Sequence, residues 1–99
     1  MTADAMGENA AAAANFVKCF AHESRLMILC HLIDGERSVG ELETLLGARQ
    51  SAVSQHLARL RLDGIVAYRR DGKTLYYSIA DERARRLLSS LHDLFCDEA

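Results

Sequence analysis

The sequence predicts a mainly α-helical fold with a β-hairpin wing, in the order ααααββα. Three observations carry this expectation. Residues 39–46 and 50–62 are short segments with apolar residues at helical spacing, separated by Gly47. Ile65-Val66-Ala67-Tyr68 and Leu75-Tyr76-Tyr77-Ser78-Ile79 are β-rich runs around Arg70-Asp71-Gly72-Lys73, and Asp-Gly between such runs is a strong hairpin signal. Basic residues gather on the 50–62 segment and around the hairpin turn. A helix pair followed at once by a charged hairpin is the layout of a winged helix-turn-helix.

Each element has a local reason. Residues 1–8 are small and polar and predict a disordered tail, leaving 9–99 as the folded unit. From Glu8 to about Ala21 the alanine run favours helix, with Phe16, Val17 and Phe20 as one apolar stripe. Such a stripe on a terminal helix must pack on its own core or on a partner subunit. A second helix over 24–34 has Glu23 and Ser24 at its start, where acidic and hydroxyl groups suit unpaired N–H groups and the helix dipole. Leu26, Leu29, Cys30 and Ile33 share one face, and Asp34-Gly35 ends the helix. Ser38-Val39-Gly40-Glu41 reads as a capping box. The third helix therefore begins at Val39, turns Val39, Leu42, Leu45 and Leu46 inward, and ends at Gly47. The fourth, over 50–62, directs Val53, Leu57 and Leu60 to the core, and Asp63-Gly64 stops it. The last helix, 81–96, starts on Asp81 and carries Leu87, Leu88, Leu91, Leu94 and Phe95 as its apolar stripe.

The 99 residues suffice for one domain with a thin core, which a dimer would thicken. No apolar run reaches the roughly 18–20 residues of a membrane span. The opening residues lack the basic and leucine-rich regions of a secretory signal, so the cytoplasm is the expected compartment. There, three cysteines are expected as reduced thiols and not as a structural disulfide framework. A net charge of −2 looks unsuited to nucleic acid until it is divided along the chain. Residues 48–76 hold six basic residues against two acidic ones, a local +4, and the remainder carries −6. A basic patch on an acidic body binds phosphate on one side and repels it on the other, which fixes orientation.

The fourth helix has the character of a reading helix for the major groove of DNA. Short polar side chains let a backbone approach base edges, and Ser51, Ser54 and Gln55 supply them, with Gln50 at the entry. Glutamine pairs bidentately with adenine, whereas serine discriminates less. His56 and Arg59 are expected to reach bases or phosphates, and Arg49 to touch phosphate near the helix start. On the wing, Arg69, Arg70 and Lys73 are expected to neutralise phosphates. The same polar face on an isolated helix is usually solvated surface. The helix pair, glycine turn, hairpin and local charge together favour DNA. A winged helix that docks protein and binds no DNA is the alternative of another class. An enzyme is not expected, because no third group or oxyanion element accompanies a Cys–His neighbourhood.

The stretch from Arg25 to Ile79, above all SVGEL…L and QSAVSQHLARLR, resembles the ArsR family of bacterial homodimeric repressors. The resemblance implies a winged-helix dimer joined through its first and last helices and bound to an inverted-repeat operator. Phe16, Val17, Phe20, Leu88, Leu91 and Phe95 are then the expected interface, and their stripes independently call for a partner. Metal-sensing members carry a cysteine motif at the start of the third helix, which here reads Ser38-Val39-Gly40-Glu41-Leu42. On the last helix only His92 and Cys96 remain as ligands, a weak alternative for zinc, so no metal or cofactor is expected. The chain is similar to the BigR/SqrR/HlyU branch, which responds to persulfides and related oxidants. The two reactive cysteines of that branch match Cys30 and Cys96. The resemblance thus implies a repressor released from DNA when a disulfide or polysulfide links those two residues. Cys19 has no counterpart in that pair and is expected as a packing residue or bystander.

Overall fold

The computed structural model describes residues 2–96; the last three residues of the expected 9–99 unit lie outside the described residues. Helices α1 (Ala3–Gly7), α2 (Ala10–Lys18) and α3 (Glu23–Leu32) lead into strand β1 (Arg37–Ser38). The helix pair α4 (Val39–Leu46) and α5 (Gln50–Leu62) follows, then β2 (Val66–Asp71), β3 (Thr74–Ile79) and α6 (Glu82–Phe95). The expected mainly α-helical winged architecture is therefore present.

Two elements were not expected. Residues 3–7, read as a disordered tail, form one helical turn because the Thr2 hydroxyl accepts the Ala5 N–H at 3.2 Å. No residue of α1 is buried. The second is β1, whose Arg37 and Ser38 pair with Tyr77 and Tyr76, giving a three-stranded antiparallel sheet in the order β1-β3-β2. Ser38 thus ends a strand and caps a helix. Its hydroxyl accepts the Glu41 N–H at 3.1 Å, and the Glu41 carboxylate accepts the Ser38 N–H at 3.0 Å, completing the expected capping box.

Capping at α3 differs from expectation. His22 is the N-cap, its Nδ1 accepting the Ser24 N–H at 3.1 Å, so Glu23 and Ser24 already belong to the first turn. At α6 the expected Asp81 cap is present and accepts the Arg83 N–H at 2.8 Å. Arg49 precedes α5 without a side-chain cap bond.

The core forms where α3, α4, α5, the sheet and α6 meet. Ile28, Leu29, Leu32, Leu42, Leu57 and Leu60 are wholly buried, with Val53, Ile65 and Val66 beside them. Phe20 and Leu88, expected at a subunit interface, belong instead to this core at 7% and 4% exposure. Phe20 lies beyond the end of α2, where the Cys19–Phe20 turn carries it inward against Phe16 at 5.1 Å between ring centroids. The strongly exposed apolar residues of the outer helices are Val17 at 53%, Leu94 at 74% and Phe95 at 81%. Phe16 and Leu91 are half-buried.

Candidate nucleic-acid interface

The turn between α4 and α5 is set by backbone chemistry. Gly47 adopts φ +61, the left-handed conformation that glycine tolerates, and its N–H donates to the Glu43 carbonyl to close α4. The chain then reverses over Ala48 and Arg49 into α5. Val53, Leu57 and Leu60 anchor α5 in the core. Its opposite side is solvent-facing, and Gln50, Ser51, Ser54, Gln55 and Arg59 are all exposed on it, with Arg49 exposed just before it.

His56 departs from that face. Successive helical residues turn by about 100°, which sets His56 about 140° from Ser51. It is half-buried against α3, its ring 4.6 Å from that of His22. Burial, with His22 and Arg25 nearby, holds its pKa below the ordinary histidine value. The expected base or phosphate contact of His56 therefore gives way to a packing contact between α3 and α5.

On the wing, Asp71 and Thr74 pair across a turn in which Gly72 takes φ +63. Arg70 and Lys73 are exposed and, among the described residues, form no ion pair. Arg69 is already engaged. Its guanidinium lies over the Tyr76 ring at 4.7 Å and its Nε donates to both Glu36 carboxylate oxygens at 3.0 and 2.9 Å. That pairing holds Glu36 below the usual carboxylate range and raises the arginine further. Arg69 thus braces the wing to the loop before β1. Arg59 similarly meets Asp63 at 3.2 Å, yet its side chain remains 65% exposed.

Lys73, Gln50 and Ser54 line one open cleft of about 580 Å³ with Ser38 and Gly40 at the start of α4. The wing, α5 and the start of α4 therefore converge on one side. Arg61, which sequence reasoning did not single out, lies 4.6 Å over the Tyr68 ring and braces α5 on the wing. Its charge marks it as surface, but only the tertiary contact reveals the brace.

The cysteines occupy two environments. Cys19 is buried, with Sγ 3.3 Å from Asp63 Oδ2 and 3.5 Å from the Asn15 carbonyl. Burial, followed by the Asp63 contact, pushes its thiol pKa up. Cys30 and Cys96 are both free and exposed. Cys30 sits against an apolar floor between α3 and α6, and this desolvation raises its pKa, with the charge of Cys96 adding to the effect. The groove beside it, about 470 Å³, is lined by Cys30, Ile33 and Asp34 from α3 and the turn after it and by Arg85, Leu88 and His92 from α6. Among the described residues no three His, Cys, Asp or Glu side chains are grouped to hold a metal ion.

Residues 22–68 match the family described as bacterial regulatory protein, arsR family. The transcriptional activator HlyU of Vibrio cholerae is 44% identical over 97% of this chain and 89% of its own length. The chain belongs to the ArsR family. A biofilm growth-associated repressor of Agrobacterium fabrum is 46% identical over 93% of this chain and 79% of its own. The crystal structure of the repressor BigR from Xylella fastidiosa superposes with a TM-score of 0.93 at 41% identity, covering 99% of this chain and all of that one. Reduced HlyU from Vibrio cholerae superposes at 0.88 with 44% identity over 93% of this chain and 97% of that one. ArsR-family proteins are DNA-binding transcriptional regulators and not enzymes, and they typically bind double-stranded DNA as dimers. No described helix of this family member is long and apolar enough to cross a membrane.

Proposed function

We propose that the protein is a cytoplasmic, thiol-switched repressor whose reduced homodimer binds an inverted-repeat operator. The observation that carries the DNA half is the shared cleft of Gln50, Ser54 and Lys73, which lets one subunit reach base edges and phosphate together. Ser51, Ser54 and Gln55 read bases, with Gln50 and Arg49 at the entry; Arg59, Arg70 and Lys73 meet phosphates. Val17, Leu91, Leu94 and Phe95, with Phe16 at the edge, join the subunits. Two reading helices must then stand roughly 34–36 Å apart to enter successive major grooves.

The switch is oxidative linkage of Cys30 to Cys96 by a low-molecular-weight persulfide. What supports it is that both thiols are free and exposed, Cys30 on α3 and Cys96 at the end of α6. Cys96 closes α6, its N–H donating to the His92 carbonyl at 2.7 Å, directly after the exposed Leu94 and Phe95. A bridge from Cys96 to α3 redirects that apolar pair, changes how the partner seats, and moves the reading helices off their spacing. Coupling is reciprocal, so bound operator disfavours the bridge. The direction of control follows the repressor relatives; the HlyU relative carries the name of an activator.

The test is fluorescence anisotropy with labelled operator DNA, before and after persulfide treatment of reduced protein, with intact mass read in parallel. Expected are tight reduced binding, release on treatment, and retained repression without release in Cys30→Ser and Cys96→Ser. Unchanged binding by fully bridged protein would overturn the switch. Equal binding to operator and random DNA would overturn the repressor.

A further inference from the structure

The groove beside Cys30 carries charges that the switch described above does not use. Its volume, about 470 Å³, falls in the roughly 300–1,000 Å³ of small-molecule sites. Ile33 and Leu88 form an apolar floor; Asp34 stands on one side, in the turn after α3, and Arg85 on the other, on α6. Arg85 Nη1 donates to the Ile33 carbonyl at 3.2 Å, which brings the guanidinium to the residue adjoining Asp34. The two charges nevertheless form no ion pair with each other among the described residues. Arg85 has only a distant partner, Glu82 at 3.9 Å, whose side chain is 78% exposed. A positive and a negative group, unspent on one another, thus face a thiol across a space of small-molecule size.

We propose that this groove selects the sulfur donor by its α-amino-acid head. Arg85 takes the α-carboxylate, Asp34 takes the adjacent α-ammonium, and the persulfide is presented to Cys30. The inference rests on the Cys30–Cys96 switch and adds the chemical class of its inducer. The Cys30 thiolate attacks the outer sulfur of the donor RS–SH. A Cys30 Sγ–S bond forms, the donor S–S bond breaks, and RS⁻ leaves with the electron pair and takes up the proton released by Cys30. The Cys96 thiolate then attacks Sγ of the Cys30 persulfide and expels hydrosulfide, which takes up the proton released by Cys96. The net change is two thiols and RSSH giving the bridge, RSH and hydrogen sulfide; the donor is the two-electron oxidant. Inorganic polysulfide lacks the head and gains nothing from the groove. Free cysteine persulfide and the γ-glutamyl end of glutathione persulfide both carry it.

The test measures the rate of Cys30 persulfidation by quenched intact-mass kinetics, in Cys96→Ser protein so that the first step is isolated. Donors are cysteine persulfide, glutathione persulfide, N-acetylcysteine persulfide, the persulfide of cysteine amide, and inorganic polysulfide, compared after correction for leaving-thiol pKa. Loss of either head charge is expected to slow the reaction about two- to fivefold, the scale of a partly exposed charge pair. Asp34→Asn, which removes no contact of the fold among the described residues, is expected to abolish the advantage of the free ammonium and leave the carboxylate preference. Arg85→Gln is expected to do the converse; it also loses the bond to Ile33, so Asp34→Asn is the deciding variant. Dominance of the cysteine donor or of the glutathione donor identifies which source carries the head. Equal corrected rates for all donors, or an unchanged preference in Asp34→Asn, would overturn donor selection while the bridge in wild-type protein still forms. Absence of any bridge in wild-type protein would overturn the switch and the selection together.

Discussion

Lys73 and Arg69 lie four residues apart on the wing, yet they should contribute very differently to DNA affinity. Lys73 faces the cleft beside Gln50 and Ser54, whereas Arg69 is held by Glu36 and Tyr76. Each phosphate neutralised on duplex DNA steepens the dependence of log K on log salt by about 0.9. A dimer carries two copies, so Lys73→Ala should flatten that slope by about 1.8. Between 50 and 200 mM salt this narrows the affinity change by roughly an order of magnitude. Arg69→Ala should flatten the slope by clearly less, because the guanidinium already has a carboxylate. Glu36→Gln should do the opposite: it frees Arg69 for phosphate and steepens the slope, up to a further 1.8 or so. The assay is anisotropy with operator DNA across a salt series, with circular dichroism to confirm the fold of each variant. Equal losses in Lys73→Ala and Arg69→Ala, with no gain in Glu36→Gln, would refute the assignment of Arg69 as a brace.

Three further outcomes follow from packing, capping and titration. Leu57→Ala removes a wholly buried side chain beneath the reading face and should cost about 2–5 kcal/mol in urea unfolding at fixed protein concentration; a loss under about 1 kcal/mol would mean the core there is loose. Ser38→Ala deletes one half of the capping box and should cost about 1 kcal/mol by the same measurement. The pKa of His56 is lowered in the folded chain, so the unfolded chain takes up the proton first as pH falls below about 6.5. Stability should therefore be full above that pH and decline toward the folded-state pKa, and His56→Leu should remove that part of the slope; an unaltered slope in the variant would place the titration elsewhere.

What was legible in the sequence was what local chemistry specifies. The 3.6-residue spacing of Val53, Leu57 and Leu60 fixed the buried side of α5, and Asp-Gly fixed the wing turn. The capping box and the Asp81 cap were readable because donor and acceptor lie within three residues of each other. Long-range pairing was not readable. Glu36 and Arg69 stand 33 positions apart, and nothing local marks one as the partner of the other. The strand β1 is two residues long, too short to show alternation. The role of His56 was misread for a different reason: its polarity suggested the DNA side, while its angular position already placed it toward α3. Leu88 and Leu94 read alike in an apolar stripe, and only the packing of α6 on the sheet separates a core residue from an exposed one.

The thiol face and the DNA face are not remote in mechanical terms. Cys30 lies on α3 between the buried Leu29 and Leu32, and α3 packs on both α4 and α5. Arg85 ties α6 to the end of that same helix through the Ile33 carbonyl. Arg85 thus joins α6 to the C-terminal end of α3, and α3 meets α5 at the His22–His56 contact. That chain of contacts offers two routes for a bridge to weaken operator binding: reseating the partner on Leu94 and Phe95, or shifting α5 within one subunit. The routes separate in a Leu94→Ala, Phe95→Ala variant. If the partner route dominates, this variant binds operator weakly while still reduced, and bridging lowers its affinity little further. A variant that keeps the full wild-type response to bridging would assign the effect to α3 and α5 within the subunit.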